Sequence, residues 1–172
     1  MSVVKVHRVS GYHQGKINAN IEDVWALITN WGTLFWYQDG NNAEGLKLMD
    51  SWLEGEPDVV PRTRVMSRGE GAVENGAPDE NREVLLLADP VAHRLYYDAT
   101  DDFVPGIRNY MATWSLDELD DGGCMMTVSS NFDVIPAENG PLYGEMLHNV
   151  YIAIVSSLDS HFARERASEQ GA

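Results

Sequence analysis

The sequence predicts an α+β fold in which a curved antiparallel sheet of about seven strands closes around one long C-terminal helix. Two short helices follow the first strand, and a cavity lies between sheet and helix. Three observations point to this arrangement. A helix-like run with a cap signal stands early, at 20–28. Segments of alternating polarity, separated by turn residues, fill the middle of the chain. An apolar periodicity of three and four residues then runs from 141 to 162. A cavity of this kind is a ready site for a small, mostly apolar ligand.

The elements follow in order. Residues 4–19 alternate as a long first strand, with a bulge expected near Gly11. Asn20 is a good helix cap, and Glu22 and Asp23 suit the first turn after it. That helix buries Val24, Trp25, Leu27 and Ile28, and Asn30 and Gly32 end it. The aromatic-dense stretch 31–37 predicts a second short helix, and 39–42 a turn. Strands are expected at 45–53, 59–66, 82–87, 94–99, 109–119 and 124–135. The segment 69–81 is expected to be a mobile loop, and 120–123 a hairpin turn. Leu142, Met146, Leu147, Val150, Tyr151, Ile154, Val155, Leu158 and Phe162 make the apolar face of the last helix, widened by Ile152 and Ala153. Residues 1–166 read as one domain and 167–172 as a frayed tail.

Composition narrows the function. The chain has 172 residues, 44% hydrophobic, enough for one domain with a sizeable core. Its net charge is −15, from 27 acidic and 12 basic residues, which argues against nucleic-acid or anionic-membrane partners. Such a field also slows the approach of an anionic ligand. No apolar run reaches the roughly 20 residues of a membrane span, and the N-terminus lacks a signal-peptide pattern. The single cysteine, Cys124, excludes an internal disulfide. A cytoplasmic protein is the simplest reading, and a homodimer is left open. His7, His13, His93 and His161 show no metal-ligand spacing, so no metal site is expected. No Gly-rich nucleotide loop or Gly-x-Ser-x-Gly elbow occurs.

Six segments in order carry a likeness to a known superfamily: 17–25, 61–64 (Pro-Arg-Thr-Arg), 81–86, 94–97 (Arg-Leu-Tyr-Tyr), 108–114 and 151–158. On them the chain resembles the START/Bet v 1-like (SRPBCC) superfamily, and within it the polyketide cyclase/dehydrase branch. The resemblance implies a helix-grip fold. It does not choose among the cyclases, lyases, lipid carriers and receptors of that superfamily. The segments 82–85 and 108–110 also look like plant abscisic-acid receptors, and by that likeness Glu83 and Tyr110 face the cavity. The gate-loop motifs of those receptors are missing, however, and Gln38 stands near their lysine position.

Strand alternation sorts the candidate site residues. Arg62, Arg64 and Met66 share one face; Glu83, Leu85 and Leu87 share another; so do Tyr110, Ala112 and Trp114. At 128–133 the inward set is either Ser129, Asn131 and Asp133 or Val128, Ser130 and Phe132, and the family likeness favours the first. Arg64 and Glu83 then pair on neighbouring strands, either to act on a ligand or merely to satisfy each other. Trp36 and Tyr37 either pack the sheet mouth or cover the cavity. His148 is a candidate base on the last helix, where a lone histidine is more often at the surface.

By the resemblance, the leading function is a small-molecule enzyme similar to polyketide cyclases/dehydrases. It carries out a cofactor-free aldol, dehydration or lyase step on an aromatic or polyketide-like carbonyl compound. Arg64 stabilises the enolate or oxyanion, and Glu83, Tyr110 or His148 moves the proton. Ligand contacts are expected from Trp36, Tyr37, Arg62, Met66, Leu85, Trp114, Ser129, Asn131, Met146, Val150, Tyr151 and Ile154. The alternative is a non-catalytic binding or transport protein for an apolar metabolite or lipid. A protein-interaction module is a third reading; it requires a collapsed cavity and an exposed apolar groove.

Overall fold

The computed structural model describes residues 5–39, 50–68, 76 and 78–171. Seven antiparallel strands form one sheet: β1 (His7–Ile17), β2 (Asp50–Glu54), β3 (Arg62–Ser67), β4 (Glu80–Asp89), β5 (Arg94–Ala99), β6 (Ile107–Glu118) and β7 (Cys124–Val134). Their spatial order is β1-β7-β6-β5-β4-β3-β2. From β2 onward the strands follow each other as a meander, while β1 joins the far edge beside β7. Helix α1 (Ile21–Thr29) follows β1, and helix α2 (Gly140–Gln170) closes the chain. No helix among the described residues is long and apolar enough to cross a membrane.

Local sequence accounts for the ends of the elements. The Asn20 side chain accepts the Glu22 backbone N–H at 2.8 Å, so the cap forms where its residue type predicts. Pro141 opens α2, where a missing N–H costs nothing. Gly122, with φ at 82°, turns the β6–β7 hairpin. The second short helix expected in the aromatic stretch is a 3₁₀ helix at Phe35–Asp39. It buries Trp36 and Tyr37 and leaves Phe35 exposed. Helix α2 continues to Gln170, through most of the segment expected to fray. The expected first half of β2, the turn at 40–42 and most of the loop at 69–81 lie outside the described residues.

Two irregularities re-aim side chains. The β4–β5 register shifts between Leu85 and Leu87, so Leu87 is 45% exposed instead of joining Glu83 and Leu85 on the inner face. The β6–β7 register shifts between Arg108 and Met111, at Asn109, whose φ is 50°. Asparagine tolerates that left-handed backbone better than most residues. No shift occurs at Gly11, since β1 and β7 pair without interruption. That glycine has another cause: a Cβ there would stand 2.7 Å from the Tyr151 ring and 2.8 Å from Ser130 Oγ.

The core lies between the concave sheet face and α2. Ile107, Met126, Val128, Phe132 and Leu158 are among its fully buried side chains. Helix α2 turns Leu147, Tyr151, Ile154 and Leu158 inward at helical spacing, while Ile152 is 40% exposed.

Candidate functional site

Near the middle of the sheet, buried polar residues replace the apolar core. Cross-strand register sets Arg64 of β3 opposite Glu83 of β4. Alternation turns both inward, because Met66 and Leu85 two residues away are buried. Arg64 donates Nε to Glu83 Oε2 at 3.1 Å, and its Nη2 donates to the same oxygen. Neither contact engages Oε1. The guanidinium carbon sits 3.8 Å from the Trp31 ring centroid, so an aromatic face covers the charge. Trp31 in turn donates its indole N–H to the Glu83 backbone carbonyl at 3.1 Å. Position and orientation of the pair are therefore held from three sides.

A second polar group lies across the cavity. The Tyr110 and Tyr151 hydroxyls are 2.9 Å apart, and Tyr151 also contacts Ser130 Oγ. The Tyr97 ring packs against Tyr110 at 6.1 Å and against Trp114 at 5.7 Å. Burial raises the Tyr151 phenol to about 12. Burial raises Tyr37 to about 12 also, with the Glu83 carboxylate adding to the rise. Tyr97 and Tyr110 go well above their ordinary value, again through burial first. At neutral pH these phenols are protonated, which suits them to donating hydrogen bonds and not to abstracting protons.

Both groups border a cavity of about 80 Å³. Its walls are Arg64, Met66 and Arg68 from β3 and its end, Asn81 and Glu83 from β4, Tyr97 from β5, and Tyr110 and Trp114 from β6. Phe103 follows β5, and α2 contributes Leu147, Val150, Tyr151 and Ile154. Leu34, Trp36 and Tyr37 complete the enclosure. The Tyr37 carbonyl accepts from Ser157 Oγ of α2 at 3.3 Å, which ties this aromatic segment to the helix. The volume accommodates a small organic molecule, well short of the roughly 300 Å³ or more of a drug-sized site.

Of the residues selected from the sequence, the structure brings together Arg64, Glu83, Tyr110, Trp36, Tyr37, Met66, Trp114, Val150, Tyr151 and Ile154 around this space. Others lie elsewhere. Ser129 and Asn131 point to the outer face, where Asn131 accepts from Ser10 Oγ at 2.8 Å. The inward set is Val128, Ser130 and Phe132, because β7 alternates unbroken from buried Cys124 to buried Val134. Arg62 turns to the end of α1 and donates to the Thr29 carbonyl at 2.9 Å, a site that the helix dipole favours for a cation. Leu85 is fully buried in the core beyond the cavity wall. Met146 and His148 flank Leu147 on the helix, and a step of about 100° turns each away from the cavity. His148 is exposed; its Nδ1 lies 2.8 Å from the Tyr12 carbonyl and its ring 5.6 Å from His13.

Leu34, Arg68, Asn81, Tyr97, Phe103 and Leu147 also line the cavity and were not selected as site residues. Tyr97 was discoverable from the sequence: Leu95 and Tyr97 alternate on a short strand opposite the β6 face already selected. Arg68 and Phe103 follow strand ends, where alternation no longer assigns a face. No group of His, Cys, Asp and Glu among the described residues could hold a metal. Cys124 is fully buried, and burial raises its thiol to about 11, so it is no nucleophile at neutral pH.

A family model described as polyketide cyclase/dehydrase and lipid transport matches residues 8–160. No curated protein matches the chain by sequence. Among solved structures, norcoclaurine synthase from Thalictrum flavum, in complex with dopamine and hydroxybenzaldehyde, is 16% identical with a TM-score of 0.68. That match covers 94% of this chain and 90% of the synthase. A protein from Thermobifida fusca is 22% identical with a TM-score of 0.69, covering 90% of this chain and 93% of its own. A protein from Nitrosospira multiformis is 18% identical with a TM-score of 0.68, covering 92% and 99%. At these identities the likeness shows the shared Bet v 1-like helix-grip fold.

Proposed function

The chain belongs to the polyketide cyclase/dehydrase and lipid transport family, and from that premise we propose that it is an enzyme acting on a small carbonyl compound held in the cavity, by cofactor-free proton transfer of the aldol, dehydration or lyase type. One observation carries this reading. A carboxylate oxygen that the Arg64 contacts leave unused, Glu83 Oε1, and protonated phenols belong to residues that border the same cavity. Glu83 is the base that takes a proton beside the carbonyl. The Tyr110 phenol donates to the oxygen on which negative charge develops, and the Arg64 guanidinium adds its field. Trp36, Tyr37 and Trp114 exclude water and pack the carbon skeleton. A bulky ring system enters only if the segment carrying Trp36 and Tyr37 moves outward.

A second reading, a binding or transport protein, is favoured by the closure of the Arg64–Glu83 pair, which leaves that charge satisfied without any ligand. Two steps separate the readings. Native mass spectrometry of freshly purified protein and thermal-shift screening of aliphatic and aromatic carbonyl compounds identify what stabilises the folded state. Turnover of a stabilising compound is then followed in the parent protein and in Glu83→Gln. Turnover that falls by roughly a hundredfold or more while binding persists supports the enzyme. Binding without turnover in the parent protein supports the carrier.

A further inference from the structure

The described part of the cavity wall does not balance its own charge. Among the described residues it holds two guanidinium groups, Arg64 and Arg68, and one carboxylate, Glu83. Glu83 is committed to Arg64 through two contacts to one oxygen. Among the described residues the Arg68 guanidinium donates from Nη1 to the Phe103 carbonyl, and its central carbon lies 5.9 Å from the Phe103 ring. No carboxylate among the described residues pairs with it. Arg68 is partly buried, and a cation partly withdrawn from water without a counter-charge is costly. Burial lowers the Arg68 proton affinity for the same reason, and the field of Glu83 restores only part of it.

Further polar groups in the same wall are also unmatched. The indole N–H groups of Trp36 and Trp114 are buried and have no acceptor among the described residues, and Arg68 Nε is a third such donor. Trp36 is 1% exposed and Trp114 2%. Asn81 Oδ1 is a fully buried acceptor without a partner among the described residues. A buried unpaired donor costs about 1–3 kcal/mol. Three such donors on wall residues and, among the described residues, one surplus positive charge fit an incoming group that is anionic, rich in acceptors and small, once these side chains turn towards the space of about 80 Å³.

We propose that the cavity selects small carboxylic acids, with Arg68 pairing the ligand carboxylate and the Trp36 and Trp114 indoles donating to its acceptor oxygens. This rests on the proposed function and names its substrate class: an oxo or hydroxy acid, with its carboxylate at Arg68 and its reacting carbonyl towards Glu83 and Tyr110. Arg68 acts here as a specificity residue, since the proton transfer belongs to Glu83 and Tyr110.

The test compares acids with their neutral isosteres on the full chain. Propionate, 2-oxobutanoate and benzoate are each titrated against the corresponding primary amide. Binding is read from the indole N–H signals of Trp36 and Trp114 in ¹H–¹⁵N spectra. The expected result is that the acids bind roughly ten- to hundredfold more tightly than the amides, the range of a charged hydrogen bond, and move both indole signals. Arg68→Met removes the preference, and Arg68→Lys keeps part of it. Equal affinity for acid and amide overturns the inference and leaves the proposed function standing. A preference that survives in folded Arg68→Met also overturns it, because another group then reads the charge. If no probe of either kind moves the indole signals, both the inference and the proposed function fall. Should Arg68→Met not fold, the acid-to-amide ratio in the parent protein decides alone.

Discussion

At the scale of single residues, Tyr151 joins the polar half of the cavity to the helix. Its hydroxyl meets Tyr110 and Ser130, both buried. Tyr151→Phe removes a partner from both hydroxyls, leaving Tyr110 only its interaction with Tyr97, and is expected to cost about 1–3 kcal/mol. Urea denaturation followed by circular dichroism measures it, and an unchanged midpoint refutes the hub. The Arg64–Glu83 pair behaves asymmetrically. Arg64→Ala leaves a carboxylate only 13% exposed without its ion-pair partner, at an expected cost of about 3–5 kcal/mol. Adding Glu83→Gln to that variant is expected to recover part of the loss; if the second change only deepens it, the charge imbalance is not the cause. This pair was legible in the sequence because alternation on two neighbouring strands set both residues inward. The Ser129 and Asn131 assignment went wrong at the same scale. The run Cys124, Met126, Val128 already marked the inward phase of β7, and Ser130 lies in that phase.

At the scale of elements, the close approach of α2 to β1 shapes the cavity. Gly11 and Gly15 lie on one strand face four residues apart, and a Cβ at Gly15 would stand 2.8 Å from Val155. The helix can therefore settle on β1 and carry the Tyr151 hydroxyl to Ser130. Gly11→Ala pushes the Tyr151 ring away and is expected to destabilise the fold by about 1–3 kcal/mol. It should also change the near-ultraviolet circular dichroism of the buried tyrosines. Full native signal together with an unchanged melting temperature contradicts this account. The sequence showed β1, β7 and α2 clearly, since each keeps its period over ten residues or more. Bulges were less legible, being set by neighbouring chains. The shift at Leu87 and the left-handed Asn109 change which side chains face inward without breaking the local apolar pattern. Gly11 suggested a bulge for the opposite reason: a glycine in a strand reads the same whether the backbone bends or a distant ring needs the space.

For the whole molecule, proton and salt equilibria report on the interior. Tyrosines ionise at 10.0 in the unfolded chain, whereas folded Tyr37 and Tyr151 hold their protons to about 12. Tyr97 and Tyr110 hold theirs beyond the ordinary value as well. The unfolded state therefore loses protons first as pH rises. The contribution of these groups is complete below pH 10 and is lost as pH climbs towards 12. Denaturation midpoints should fall across that window, and Tyr97→Phe should flatten the fall; a slope unaffected by the substitution rejects the assignment. The net charge of −15 has a consequence for ligand entry. At about 10 mM salt the screening length is about 30 Å, so acidic groups over the whole surface oppose an incoming carboxylate. At about 150 mM it is about 8 Å. The distant repulsion is then screened, while the cavity arginine acts at contact range through little solvent and keeps most of its attraction. Salt should consequently tighten the binding of propionate or benzoate by roughly two- to fivefold over that range and leave the amides unaffected. Binding that weakens with salt would place the carboxylate on an exposed cation at the surface, and no change at all would mean that the acid enters without its charge.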